Sequence, residues 1–308
     1  MARTFHGVVP ALVTPFRGDE RIDCNAWQII IDSLIACGVD GLFAAGSQGE
    51  AYALDPEERL VALRFCKQAA AGRVILYGNV GCTTTRATVQ LAIQAQEMGV
   101  DALVVVTPYY VQPTQEELEE HFVEVCRSVR APVLAYNFPS HGGVELEAAT
   151  LGRIATRCEN LVGVKDSSGS LELAVAYRNA AAGRPLAVFI GADHLVVPAL
   201  EAGCAGTVNA SANVAPKLYV DLYRAFREGR RAEADRLQAM AADLGATVGL
   251  HTFPSMMKEA MSIAGLSAGP CRKPVGAVPP EAREKLRSTL DRLAAEDFLI
   301  HDGRVRTA

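Results

Sequence analysis

Eight short apolar runs, set mostly about 25–35 residues apart and separated by longer amphipathic stretches, constrain this chain more than any other feature. They are Gly7–Val13, Gly41–Ala45, Val74–Gly78, Ala102–Val106, Pro132–Tyr136, Leu161–Val164, Leu186–Ile190 and Gly203–Val208. Within each run the apolar residues are continuous rather than alternating. A strand reads that way when both faces of its sheet are covered, as in a parallel sheet wrapped by helices.

The intervening stretches read as helices. Asp55-Pro56-Glu57-Glu58 supplies a cap, a proline at the first helical position and acid in the first turn. Thr114 to Glu117 fits a capping box. Glycine closes helices shortly before strands at Cys37-Gly38, Met98-Gly99 and Ala202-Gly203. Eight strand–helix alternations within about 215 residues predict an α/β fold, a (β/α)8 TIM barrel. From Pro216 onward the pattern is helical only, clearest over Arg230–Leu244 and Pro280–Glu296. The expected organisation is a barrel core over 1–215 that carries the active site, and a helical extension over 216–308 packed on it. A chain of 308 residues needs no second domain, because single α/β barrels reach this length.

A net charge of −5 and a pI near 5.8 argue against nucleic-acid or anionic-membrane partners. The densest arginines, Arg227, Arg230 and Arg231, are interleaved with Glu228 and Glu233, as on a solvated helix face. The eight cysteines form no C-x-x-C pair and have no histidines at zinc spacing, so no structural metal is expected. Met1 to Gly7 lacks the apolar stretch of a signal peptide, and no window is apolar for the length of a membrane span. A soluble cytoplasmic protein with reduced thiols is expected.

In a barrel, chemistry collects at the C-terminal ends of the strands. The sixth run ends in Lys165, one of only six lysines. Burial penalises an ammonium and lowers its pKa, and a neutral lysine amine can attack a ketone to form a Schiff base. The competing reading is a strand-end lysine that reaches water or pairs with a carboxylate. The other strand ends carry Gly46-Ser47-Gln48-Gly49-Glu50, Thr107-Pro108-Tyr109-Tyr110, Tyr136-Asn137-Phe138-Pro139, Gly191-Ala192-Asp193-His194 and Asn209. The glycine-flanked turn is either a plain turn or a cradle of N–H groups and a hydroxyl for a small carboxylate. Tyr136 is either a packed core tyrosine or, beside a Schiff-base lysine, a proton relay. Paired histidines and carboxylates for a catalytic divalent metal are missing from the strand ends, as is a glycine-rich phosphate loop after the last two strands.

Taken together, Thr14-Pro15-Phe16, the Gly-Ser-Gln-Gly-Glu turn, Val106 to Tyr110, Tyr136-Asn-Phe-Pro139, Lys165, Ala210 to Val214 and Phe253-Pro254 resemble the dihydrodipicolinate synthase / N-acetylneuraminate lyase family of pyruvate-dependent class I aldolases. The 29-residue spacing from Tyr136 to Lys165 is similar as well. The resemblance implies that Lys165 forms an imine with pyruvate or another 2-oxo acid, and that Tyr136 shuttles protons. Ser47 would link Tyr136 to Tyr110, which in the family reaches across a subunit interface of a homotetramer, a dimer of dimers. The backbone N–H groups of Ser47 and Gln48 would hold the carboxylate, with Gly46 beside them in the turn. Gly191 and Asn209 would line the substrate site. No cofactor beyond the covalent imine, and no metal, is implied.

Two departures bear on the substrate. Where dihydrodipicolinate synthases carry a carboxylate-binding arginine, this chain has His141. Where sialic acid lyases carry Asp-Glu, it has Asp193-His194. His141 and His194 are either surface histidines or contacts for a small polar or acidic substrate tail. The expected activity is a Schiff-base lyase that cleaves a short 2-keto-3-deoxy or 4-hydroxy-2-oxo acid to pyruvate and an aldehyde. Loss of water or ammonia by the same imine chemistry, and 4-hydroxy-tetrahydrodipicolinate synthesis from pyruvate and aspartate semialdehyde, are the enzymatic alternatives. A 2-oxo-acid-binding relative without turnover is the alternative of another class.

Overall fold

The computed structural model describes residues 4–181, 183–266 and 268–300; Met1 to Arg3, where the N-terminal reading above begins, lie outside them. Eight strands alternate with helices: β1 (Gly7–Pro10), β2 (Gly41–Ala44), β3 (Ile75–Asn79), β4 (Ala102–Val106), β5 (Val133–Asn137), β6 (Leu161–Asp166), β7 (Ala187–Ile190) and β8 (Gly206–Asn209). Each falls within or beside one of the apolar runs. They pair in parallel in the order β1-β8-β7-β6-β5-β4-β3-β2. A parallel bridge between Ala11 and Phe43 joins the two ends, with Leu12 N–H donating to the Phe43 carbonyl (2.9 Å) and Asp40 N–H to that of Val8 (2.9 Å). The result is a TIM barrel.

The apolar runs are continuous because each strand buries both faces. Inward residues such as Val9, Phe43, Tyr77, Val104, Leu134, Phe189 and Val208 fill the barrel, while the other face packs beneath the helices in a larger core. The helices form where their caps predict. Asp55 and Glu58 close a reciprocal capping box at Pro56–Ala70, as do Thr114 and Glu117 at Gln115–Ser128. Gly38, Gly99 and Gly203 take positive φ just past helix ends. The eight cysteines are free thiols, and Cys66, Cys126, Cys158 and Cys204 are buried.

A helix, Pro216–Arg227, follows β8 and packs against β1. The appended helices are Arg231–Val248, Ser255–Ile263 and Pro280–Ala295. The first of them packs on Pro216–Arg227 and on the turn Asp193–Leu195 that follows β7. No helix among the described residues is long and apolar enough to cross a membrane.

One irregularity decides where Lys165 points. Val133 pairs with Leu161, but Leu134 pairs with Gly163, so Val162 is an extra residue in β6. Side chains two apart on a regular strand share a face. Val162 packs against the inner cluster, so an unbroken strand would send Val164 inward and Lys165 outward. The bulge reverses this: Val164 joins the outer core and Lys165 enters the barrel. Gly163 fits at this point because a Cβ there would lie 2.2 Å from the Ala187 carbonyl oxygen.

Candidate active site

Lys165 lies beside Tyr136 in the register of β5 and β6, near the C-terminal rim of the barrel. Its Nζ sits 4.1 Å from the centre of the Tyr136 ring and 4.6 Å from that of Phe43. Removal from water pulls the amine's pKa down from 10.5 to about 7. The aromatic faces attract the ammonium by only about 1–2 kcal/mol. Desolvation of an ion costs several kcal/mol, so it prevails. The adjacent Asp166 does not offset it, because its carboxylate accepts from Asn137 Nδ2 (2.8 Å) and Ser168 Oγ (2.7 Å).

The Tyr136 phenol is buried between Phe43, which meets it edge-on, and Phe138, which stacks on it. Burial pushes its pKa up to about 12, against hydrogen bonds with the Ser47 and Ser167 hydroxyls. The Ser47 Oγ lies 3.5 Å from the phenol oxygen. The phenol therefore rests protonated near neutral pH, within reach of two hydroxyls that can exchange a proton with it.

These groups line a hollow of about 210 Å³ together with Gln48, Gly191 and Asn209. Two buried amide nitrogens there, Gln48 Nε2 and Asn209 Nδ2, have no hydrogen-bond partner among the described residues. Asn209 Oδ1 accepts from Ala212 N–H (3.3 Å), which leaves Nδ2 as the free donor. Unmet donors around a buried amine suit an acceptor-rich anion such as a carboxylate.

The turn after β2 is held rigidly. Thr14 Oγ1 donates to the Gly49 carbonyl (2.7 Å), and Ala45 and Glu50 adopt positive φ on either side of the turn. Glu50 is fully buried and pairs with the buried Lys258 at 2.6 Å, while Arg272 N–H donates to its other oxygen (2.9 Å). Burial is the main pull lowering the Lys258 pKa, and Glu50 opposes it. The C-terminal extension thus braces a turn more than 200 residues away.

The remaining candidates separate. Gly46 stands behind the turn, where a Cβ would strike the Phe43 ring. His141 sits on a one-turn helix, Pro139–Gly142, and stacks on Phe138 with ring centres 4.2 Å apart; loss of water on that side lowers its pKa. It lines the two hollows that adjoin the lysine pocket. Asp193 turns away from the pocket: Tyr219 Oη (2.6 Å) and Ser211 Oγ (3.0 Å) occupy its carboxylate. Burial raises its pKa to about 6, those two hydrogen bonds acting against the rise. His194 is exposed and does not line the lysine pocket. Tyr110 is 97% exposed with φ 77°, at the surface rather than beside Ser47.

Phe138, Ser167 and Phe253 are among the lining residues that the sequence does not single out as site residues. Phe138 and Ser167 each stand two positions past a recognised residue, Tyr136 and Lys165, so period-two alternation points to both. Phe253 comes from the C-terminal extension, where the Phe253-Pro254 pair marks the family resemblance but not a place in the site, and it lines all three hollows at the mouth. Among the described residues no cluster of histidine, cysteine and carboxylate side chains could hold a metal ion.

The family model of the dihydrodipicolinate synthetase family matches residues 4–293. A 4-hydroxy-tetrahydrodipicolinate synthase of Brachyspira hyodysenteriae is 30% identical over 288 residues, covering 94% of this chain and 97% of that one. An uncharacterized DapA-like lyase of Halobacterium salinarum is 36% identical, covering 92% and 93% respectively. Among solved structures, YagE of Escherichia coli, a prophage protein of the dihydrodipicolinic acid synthase family in complex with pyruvate, superposes with a TM-score of 0.91 at 31% identity, covering 95% and 99%.

Proposed function

We propose, from the premise that this chain belongs to the dihydrodipicolinate synthetase family, that it is a class I lyase acting on pyruvate and a short 2-oxo acid through an imine on Lys165. The observation that carries the reading is the buried Lys165 amine, with a pKa near 7, set against the Tyr136 phenol in a pocket with two unmet amide donors. The neutral amine adds to the ketone carbon. Tyr136 gives a proton to the carbinolamine hydroxyl, which leaves as water. The same phenol, linked to Ser47 and Ser167, then returns protons as the carbon–carbon bond breaks or forms. Gln48 and Asn209 hold the substrate carboxylate beside the turn carrying Gly46 and Ser47, and Gly191 leaves room for it. No metal is required, because the iminium itself withdraws electrons.

Two of the original candidates take other roles. Asp193 anchors the turn after β7 from below. His194 stays outside the site. Tyr110, on the exposed surface, joins Ser47 only if a second subunit brings it there, as a dimer of dimers would.

The relatives named 4-hydroxy-tetrahydrodipicolinate synthase favour a second reading, condensation of pyruvate with aspartate semialdehyde. Both readings share the imine. The experiment that tests the imine is borohydride reduction in the presence of pyruvate, followed by peptide mass spectrometry; comparing aspartate semialdehyde with other aldehydes as acceptors then separates the two readings. A reduced adduct on Lys165, absent in Lys165→Ala, is the expected result. A folded protein that gives no adduct with pyruvate or longer 2-oxo acids would leave only a binding relative without turnover.

A further inference from the structure

The aldehyde that joins or leaves the Lys165-bound enamine must lie beyond the lysine pocket, toward the mouth. There two larger hollows adjoin it, of about 570 and 410 Å³, and all three meet at Phe253. Among the described residues lining these hollows, the only lysine, arginine or carboxylate side chain is Lys165 itself. Aromatic rings take the place of charge. His141 lies flat on Phe138 (4.2 Å, 21°) and meets Phe253 edge-on (5.5 Å, 65°). The lowered pKa of His141 keeps this ring neutral at pH 7.

We infer that the aldehyde portion of the substrate is uncharged and carries a flat apolar group, so that the 2-oxo acid handled here is of the 4-hydroxy-4-aryl-2-oxobutanoate type. An anionic tail would have to shed water without meeting a cation, at a cost of several kcal/mol. A polyol would find the side chains of Asn79 and Thr252 in the larger hollow, but it would also set hydroxyls against the rings of Phe138 and Phe253, which return no hydrogen bond. An aryl ring instead loses apolar surface to water and packs on Phe138 and Phe253. This inference replaces the polar or acidic tail expected from His141 in the sequence, and it rests on the imine reading above.

In the condensing direction the pyruvate imine loses a methyl proton to become an enamine. Its terminal carbon attacks the aldehyde carbon, forming the new carbon–carbon bond. The carbonyl electron pair becomes an alkoxide, which takes a proton. Water then hydrolyses the imine, releasing the product and restoring the lysine amine. Cleavage is the reverse.

The test has two arms. Pyruvate trapping on Lys165 comes first. With the adduct established, kcat/KM is compared for benzaldehyde, succinic semialdehyde and D-glyceraldehyde as acceptors of pyruvate. At least a tenfold preference for benzaldehyde over both others is expected. A preference for the anionic or polyol aldehyde, or equal use of all three, would overturn the inference and leave the imine reading standing. Without the adduct, both fall. His141→Arg adds the missing cation and is expected to raise the ratio of succinic semialdehyde to benzaldehyde at least tenfold. That ratio is taken within one variant, so a general loss of activity cancels. An unchanged ratio means that His141 does not face the tail.

Discussion

Replacing Lys165 with methionine should abolish turnover and yet make the protein more stable, by an amount that depends on pH in a calculable way. The amine titrates near 7 in the folded protein and near 10.5 when exposed. Between those values the unfolded chain holds a proton that the folded chain has released. Stability of the wild type therefore rises with pH across this window and falls as pH drops toward 7. Each pH unit changes the folding free energy by about 1.4 kcal/mol for one proton. From about pH 8 to about pH 9.5 this single group contributes about 2 kcal/mol. Methionine has similar length and no charge, so its variant loses this dependence. The quantity to measure is the difference in urea-unfolding free energy between variant and wild type at the two pH values. All other titrating groups cancel in it. The advantage of the methionine variant should shrink by about 2 kcal/mol as pH rises over that range. A difference that stays flat would mean that the resting amine is charged, and the neutral-nucleophile argument would fail.

Tyr136→Phe keeps the ring packing on Phe43 and Phe138 but removes the proton relay, so kcat should fall by roughly two to four orders of magnitude with little change in thermal midpoint; steady-state rates beside a melting curve check this. Gly163→Ala forces a Cβ against the Ala187 carbonyl and disturbs the bulge that aims Lys165. It should cost about 1–3 kcal/mol in stability, and pyruvate trapping should slow more than in an alanine variant of an exposed helix position. Lys258→Met strands the buried Glu50 charge and should destabilise by about 3–5 kcal/mol; adding Glu50→Gln should restore most of that loss in denaturant titrations. Tyr110→Phe should reduce turnover without altering the monomer fold if a second subunit completes the site; full activity in a sedimenting monomer would refute a shared site.

The fold was legible because its signals are local. Strand runs, the capping residues Asp55 and Thr114 and the glycines at helix ends each depend on residues within a few positions, and the eightfold alternation of strand and helix allows few architectures. Lys165 and Tyr136 could be picked out for the same reason, as polar residues ending apolar strands. Tertiary structure decided the rest. Whether Lys165 faced the barrel or the helices hung on one extra residue, Val162, whose place appears only in the pairing with β5. Asp193 follows an apolar strand, but that its two oxygens are held by Tyr219 and Ser211, from elements further along the chain, is visible only in three dimensions. Phe253 lines the site from the turn before the helix Ser255–Ile263, Lys258 on that helix braces Glu50, and the uncharged mouth exists only as the sum of side chains from distant segments. Backbone periodicity is set by neighbours in sequence, whereas desolvation, pairing of buried charge and the shape of a pocket depend on neighbours in space.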